Sequence, residues 1–549
     1  MTGAFLWQLA HPWRRGLMVL MLILLAQSLA ALALPWLAGQ LGAGFLESAT
    51  GQGRVWPLVA AILGLLVLQA GLSAGAALLY AANAEAILAA LRLRLFGHLL
   101  ALPLPWHQGQ ERGSLMALAT LEIERLGHFI TGTLVYLAPL LLTAGGATVA
   151  LFLLDPALAL LVPVLVPGFY ILTRLVGRRL RGLGQQIQSE HAAATTRVEE
   201  MLDLLPALKS FAVEPAEAVR HATGIDRLRR LSLREARLHA LIDPAMGLAV
   251  SVAAVVLLVA VGRKLQSGDM GAAETISFLM YIALLVRPVS QLASVYGQVQ
   301  TVRGTLARLQ AVLETTPEPP AAGTLPPRAK GEVTFDAVTF AYPERGAALR
   351  GLSLSIAAGE TVALTGPNGA GKSTAIALLM GFQRADAGRI LLDAQDIATM
   401  PPDHLRRQIG LVPQTRHLRN ASVRDNIAFG RDGATGAQVE AAARIAQAHA
   451  FILGLPQGYD TLIGDRGLRL SGGQQQRIAL ARALVGDPAV LILDEATSMF
   501  DTEGEAALVA ECREALAGRT VIIVTHRPAT LALADRVLRL EDGRIVEDI

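Results

Sequence analysis

Hydrophobic and polar residues are not mixed evenly along this chain. Up to about residue 300 they segregate into long apolar runs separated by arginine-rich polar stretches, and beyond about residue 330 short apolar runs alternate with glycine-rich turns. A bilayer core about 30 Å thick is crossed by ~20 apolar residues in a helix. Six stretches meet or approach that length, at roughly 16–38, 55–80, 130–153, 156–177, 241–262 and 273–297. Only Asp155-Pro156 divides the third from the fourth, which reads as a tight helical hairpin, and Arg287 with Pro288 interrupts the sixth. Residues 361–365 (TVALT), 490–494 (VLILD) and 520–525 (TVIIVT) have the short, continuous apolar character of buried strands. The pattern predicts a multidomain protein. An all-α, six-helix transmembrane domain with long cytoplasmic helix extensions occupies 1–314, a proline-dense linker follows at 315–330, and an α/β domain fills 331–549.

Composition sharpens this picture in few places. The 549 residues suffice for several domains, and the 53% hydrophobic content with mean hydropathy +0.45 is explained by the first half alone. A net charge of +3 gives no reason to expect a nucleic-acid partner. The single cysteine, Cys512, excludes an intrachain disulfide framework and suits a cytosolic domain. The first apolar run is too long for a cleaved signal and reads as a retained anchor. Arg14, Arg15, Arg92, Arg94, Arg178, Arg179, Arg181, Arg227, Arg229, Arg230 and Arg234 crowd one set of loops, whereas Arg54, Arg263 and Lys264 are the main cations of the other. Cations mark the cytoplasmic side, so both termini are expected there, in an integral multi-pass protein of a bacterial inner membrane contacting membrane lipid. Intramembrane polar groups are costly and often functional. Gln27, Gln69, Thr143, Tyr170 and Thr173 either face a cavity or satisfy one another between helices. Arg287 either offers a cation to an anionic substrate or pairs with backbone carbonyls and snorkels beside the Pro288 kink.

The chemistry lies in the second half. Gly366-Pro367-Asn368-Gly369-Ala370-Gly371-Lys372-Ser373-Thr374 follows an apolar strand, the setting a phosphate loop requires. Its glycines let backbone N–H groups converge on phosphates at a helix start. Lys372 adds charge at the β- and γ-phosphates, and Ser373 offers a hydroxyl to Mg²⁺. Asp494 ends a buried strand as a hard oxygen ligand for the same ion, and Glu495 beside it is the candidate general base. Between loop and acidic strand lies Leu470-Ser471-Gly472-Gly473-Gln474.

This pentapeptide, with the phosphate loop about a hundred residues before it and the acidic strand about twenty after it, resembles the ATP-binding-cassette superfamily. The six spans followed by one cassette resemble its exporter-type half-transporters over essentially the whole chain. The resemblance implies ATP and Mg²⁺ as cofactors and a dimer, with a second copy or another half-transporter. ATP would sit between the phosphate loop of one cassette and Ser471, Gly472, Gly473 and Gln474 of the other. It implies that Tyr342 stacks on adenine and that Gln414 reaches Mg²⁺ or the attacking water. His526 would contact the γ-phosphate and fix Glu495, and Asp501 would serve in the dimer-facing loop 498–501 (SMFD), where SALD is commoner. Gly464-Asp465-Arg466-Gly467 resembles the exporter loop before the signature, with Asp465 where Glu is common. Arg419 stands where many exporters carry an aromatic. Residues 113–124 and 199–211, inside the polar stretches 81–129 and 178–240, are expected to supply helices that dock on the cassettes.

The implied function is ATP-driven transport by alternating access, most readily export of an apolar or amphipathic drug, lipid or peptide. An importer of metal chelates is the rival within the class. An ATP-gated channel or regulatory subunit is another, and a non-transport ATPase acting on nucleic acid conflicts with the membrane half.

Overall fold

Apolar stretches of this length leave no water for the backbone, so the chain must satisfy its own N–H and C=O groups, and helices do so. In a computed structural model, residues 7, 11–48, 55–160, 182–184, 186–187, 189–319, 327–343, 346–414, 418–464, 469–494 and 518–549 are described. The chain divides into two compact units, Met1–Gly97 with Arg112–Glu314, and His98–Glu111 with Thr315–Ile549.

The first unit is helical. Helices α1 (Arg14–Ser48) and α2 (Val55–Ala101) come first. A short helix, α3 (Leu104–Gln108), belongs to the second unit. The 42-residue run α4 (Gly113–Leu154) returns to the first. It is followed by α5 (Leu205–Phe211), α6 (Glu214–Gln266) and α7 (Ala272–Glu314). Among the described residues α1, α2 and α4 are long and apolar enough to cross a membrane. Helices α6 and α7 carry the expected stretches 241–262 and 273–297. The expected stretch 156–177 begins with helix Pro156–Ala159, and its residues 161–177 lie outside the described residues. Asp155 makes the break before it: its backbone is extended, and its carboxylate caps the amides of Ala157 and Leu158 at 2.9 Å each.

Close approach and polar pairing hold these helices together. A Cβ on Gly39 of α1 would lie 2.0 Å from Ser277 Oγ and 2.3 Å from the Ala273 carbonyl on α7, so only glycine lets the two backbones meet there. Ser28 donates to the Pro139 carbonyl at 3.2 Å, Thr143 to the same oxygen at 2.9 Å, and Tyr281 to the Leu32 carbonyl at 2.8 Å. Thr143 is thus satisfied by backbone of its own helix, whereas Tyr170 and Thr173 lie outside the described residues. Arg308 of α7 pairs with Glu122 in a π-helical turn, Leu118–Glu122, within α4. Leu22, Leu29, Leu78 and Leu153 point outward, as a hydrocarbon solvent allows, and the most apolar window of α2 buries none of its residues.

The second unit is an α/β cassette. Strands β1 (Val333–Tyr342), β2 (Gly346–Ile356), β4 (Ala387–Leu392) and β5 (Gln395–Asp396) form an antiparallel sheet in the order β2-β1-β4-β5. Strand β3 (Thr361–Thr365) leads into helix α8 (Lys372–Leu379), and α9 (Pro402–Gln408) leads into β6 (Ile409–Val412). A short ladder of β7 (Ala421–Ser422) and β8 (Leu462–Ile463) borders helices α10 (Val423–Ala428) and α11 (Gly436–Ile445). After α12 (Gly472–Leu484) come β9 (Val490–Asp494), β10 (Thr520–Val524), β11 (Arg536–Glu541) and β12 (Arg544–Asp548). They complete a sheet in the order β12-β11-β3-β10-β9-β6, parallel except for the β11–β12 hairpin. Every residue of β10 is buried, which is why its sequence reads as an unbroken apolar run.

Two cores flank this sheet. One gathers β1, β2 and α8 through Phe340, Leu349, Ile376 and Leu379, and the other gathers α10, α11 and α12 through Val423, Ala443 and Ile478.

Candidate functional site

In an open parallel sheet, ligands bind beyond the carboxyl ends of the strands. Here four neighbouring strands end in the residues singled out from the sequence. β3 runs into the phosphate loop at Gly366, and β10 is followed by Thr525 and His526. β9 ends in Asp494, paired in parallel register with Val524, and β6 is followed by Pro413 and Gln414. Because β3, β10, β9 and β6 are consecutive and parallel, Lys372, His526, Asp494 and Gln414 share one edge of the sheet. Asp494 is half-buried, whereas His526 and Gln414 are exposed.

The loop itself is built on positive φ. Gly366 lies at +131°, Gly369 at +83° and Gly371, the N-cap of α8, at +107°. A Cβ on Gly366 would come within 2.0 Å of the Leu540 carbonyl, while the same atom on Gly369 would meet nothing within 4 Å. Gly366 is therefore clamped against β11, and Gly369 faces open space where a phosphate fits. Ala370 is buried, and its carbonyl accepts from Gly543 N–H at 3.1 Å. Lys372 folds over the loop, donating to the carbonyls of Gly366 at 2.7 Å and Pro367 at 3.0 Å. Pro367, Asn368 and Ser373 are exposed and Thr374 is buried. An exposed hydroxyl at a helix start, a strand-end carboxylate and an amide oxygen make a hard-oxygen donor set that fits hydrated Mg²⁺, and the run of glycine N–H groups fits a polyphosphate.

Tyr342 is half-buried at the end of β1, its ring edge-on to Phe340 at 4.9 Å and 86°. It packs on the same core that holds Ala370 and α8. The signature belongs to the other core. Ser471 is the N-cap of α12, accepting from Gln474 N–H at 3.3 Å, while the Gln474 amide oxygen accepts from Ser471 N–H at 3.0 Å. This reciprocal capping box fixes the start of the helix. It leaves the amides of Gly472 and Gly473 at a positive helix end, where an anion is favoured. Gln474 thus acts on the helix as well as being a candidate ligand. Glu495 and Asp501, with the loop 498–501 and Asp465, lie outside the described residues.

Sequence reasoning missed a second layer. Asn426 is fully buried and binds the backbone after the Gln414 loop, accepting from Arg419 N–H at 2.9 Å and donating to the Arg419 and Ser422 carbonyls at 3.0 Å. Arg482 of α12 donates to the Asn426 carbonyl at 2.8 Å and to its side-chain oxygen at 2.9 Å. Arg419 and Arg482 both stack on Phe429, at 5.0 and 5.7 Å. Burial pulls the Arg482 guanidinium below its ordinary pKa, and the Arg419 charge adds to that. Arg419 thus finds an aromatic partner in Phe429, ten residues on. The signal was an arginine beside the buried Ala479, Leu480 and Ala481 of α12.

Comparisons with known proteins agree with this architecture. The family described as ABC transporter matches residues 349–498, and the ABC transporter transmembrane region matches residues 17–289. The ATP-dependent lipid A-core flippase of Escherichia coli (strain K12) is 34% identical over 547 residues, spanning 99% of this chain and 93% of the relative. The flippase of the same name from Shigella flexneri gives the same figures of 34%, 99% and 93%. A solved structure of a bacterial Atm1-family ABC exporter with ATP bound superposes with a TM-score of 0.84 at 29% identity, covering 97% of this chain and 95% of that one. A helical membrane domain ahead of an α/β cassette, both matched end to end, places this chain in the ABC transporter family, as an exporter-type half-transporter whose cassette is an ATPase coupled to transport.

Proposed function

We propose that two copies of this chain form an exporter for an amphipathic, lipid-like substrate in a bacterial inner membrane, with cassettes and termini in the cytoplasm. The observation that carries this reading is the end-to-end likeness to a lipid A-core flippase. The unburied apolar window of α2 leaves a face for lipid or for the second copy. Arg287, exposed on α7 among apolar residues, offers a cation to an anionic headgroup.

In each ATP site Tyr342 stacks on the base, and the amides from Gly366 to Thr374 with Lys372 hold the phosphates. Ser471, Gly472 and Gly473 of the partner cassette close over the γ-phosphate. Ser373, Asp494 and Gln414 hold Mg²⁺, which supplies charge neutralisation on the phosphates when bound. Glu495 takes a proton from the attacking water, and His526 fixes that geometry. Asp501 would serve in the dimer-facing loop 498–501. Closure reaches the membrane helices through segment His98–Glu111, which groups with the cassette, and through α5, whose Leu205 and Phe211 stand 44% and 76% exposed.

Inside-out vesicles containing the chain test this with a fluorescent lipid A-type glycolipid beside a panel of neutral and anionic amphiphiles. ATP-dependent uptake, strongest for anionic lipids, is expected. Uptake of none of them with ATP hydrolysis intact contradicts the substrate class.

A further inference from the structure

One ion pair in the second unit joins three parts of the chain that ATP hydrolysis and transport must keep in register. Glu318, in the linker just past α7, receives two parallel hydrogen bonds from Arg406 of α9: Nη1 to Oε2 at 2.7 Å and Nη2 to Oε1 at 2.8 Å. Both side chains are about three-quarters covered, with 26% and 24% of their surface exposed. A bidentate guanidinium–carboxylate pair of this kind fixes orientation as well as distance. The Glu318 N–H donates in turn to the carbonyl of Ala101, the last residue of α2, at 2.8 Å.

The other edge of the Arg406 guanidinium is also engaged. Nε donates to the Met380 carbonyl and Nη2 to the Gly381 carbonyl, both at 3.3 Å, and the guanidinium lies 5.2 Å from the Phe382 ring centre. Met380 is the C-cap of α8, whose opposite end is the phosphate loop. That helix is a rigid rod only about 12 Å long, so movement at its phosphate end reaches Met380 directly. Arg406 also stands three residues before β6, the strand that ends at Val412, two residues short of Gln414. Two levers from the ATP site, α8 and β6, therefore meet at Arg406, and its carboxylate partner is bonded to the end of a membrane helix.

We propose that the Glu318–Arg406 pair is a positioning clasp that passes cassette closure to α2 through Ala101. This rests on the transport reading above, which sets what the clasp serves. The rival is a staple that merely holds the linker on the cassette. A staple affects folding, nucleotide handling and membrane movement together, whereas a clasp separates the last from the first two.

The full chain, with Cys512 replaced by Ala and Ser267 of the exposed α6–α7 turn by a spin-labelled Cys, is reconstituted in nanodiscs as the dimer. The distance between the two labels is measured by pulsed EPR without nucleotide and after trapping with ATP and vanadate, with trapped nucleotide and thermal unfolding measured in parallel. The unsubstituted clasp must show a distance change on trapping. Its absence there counts against the transport reading and not against the clasp alone. In Glu318→Ala, trapped nucleotide stays within about twofold while the shifted population falls at least about fivefold. Glu318→Gln, which keeps one acceptor, lies between. Glu318→Ala combined with Arg406→Lys falls no further than Glu318→Ala, because one link is broken in both. The proposal is overturned if trapping, unfolding temperature and label movement decline in proportion, or if movement survives Glu318→Ala unchanged.

Discussion

Replacing Gly366 by alanine separates the two demands the phosphate loop makes on its glycines. At φ +131° a side chain is strained whatever the space, and positions of this kind cost about 1–3 kcal/mol. The new methyl would also lie 2.0 Å from the Leu540 carbonyl, where contacts under 3.0 Å essentially never occur, so loop and β11 must part by at least 3.0 − 2.0 = 1.0 Å. Overpacking of that sort adds about 1–3 kcal/mol. Gly369→Ala is the internal control: φ is +83°, nothing lies within 4 Å, and only the left-handed backbone cost remains, about 1–2 kcal/mol. At about 2–4 °C per kcal/mol for a domain of this size, Gly366→Ala lowers the cassette transition by about 8–16 °C at its midpoint cost of ~4 kcal/mol. Gly369→Ala lowers it by about 3–6 °C at ~1.5 kcal/mol on the same scale. Scanning calorimetry on the full chain without nucleotide reads the difference directly. Equal shifts, or a larger one for Gly369→Ala, would refute the clamp between Gly366 and β11.

Three further outcomes concern single residues. Glu495→Gln is expected to lower ATP turnover by ~10²-fold or more, while ATP still binds and the cassettes stay trapped together; normal turnover in that variant removes Glu495 as the base. Burial pushes the Asp155 carboxyl up, but Lys264 and the amides of Leu158 and Ala157 outweigh it and hold it below its ordinary value. That stabilisation is complete above the unfolded carboxylate value of about 3.9 and is lost as pH falls through the lower folded one. Asp155→Asn should therefore flatten the acid side of an unfolding-temperature profile below about pH 4, and an unchanged profile contradicts the pair. Arg419→Ala removes one of two cations stacked on Phe429. It should cost about 0.5–2 kcal/mol of cassette stability, and a neutral effect in thermal unfolding shows the stack to be idle.

Much of this architecture is readable in the sequence because its signals are local. The runs at 361–365, 490–494 and 520–524 have apolar centres because both faces of the central strands are covered, and they lead to Gly366, Asp494 and His526, which chemistry makes conspicuous. Asp155-Pro156 announces its own break, since the carboxylate caps the next turn and proline suits its first position. Contacts between distant segments left no such trace. The sequence directs attention to residues 113–124 and 199–211 for docking, and polarity alone gives no sign that His98–Glu111, just before the first of them, groups with the cassette. Helical polarity marks a stretch as leaving the membrane but not what it touches, and the better signal was the proline pair at Pro103 and Pro105 that isolates α3. Glu318 and Arg406 are ordinary charges in sequence, 88 residues apart, and only the fold joins them.

The claim most exposed to test is that each ATP site is shared between two copies. A dimer purified through two different tags, one copy carrying Lys372→Ala and the other Ser471→Arg, settles it by ATP turnover. Shared sites leave that dimer one intact phosphate loop facing one intact signature, so turnover returns well above that of either variant alone. If each site were contained within one chain, both would be defective, and turnover no higher than that of the separate variants would contradict the account.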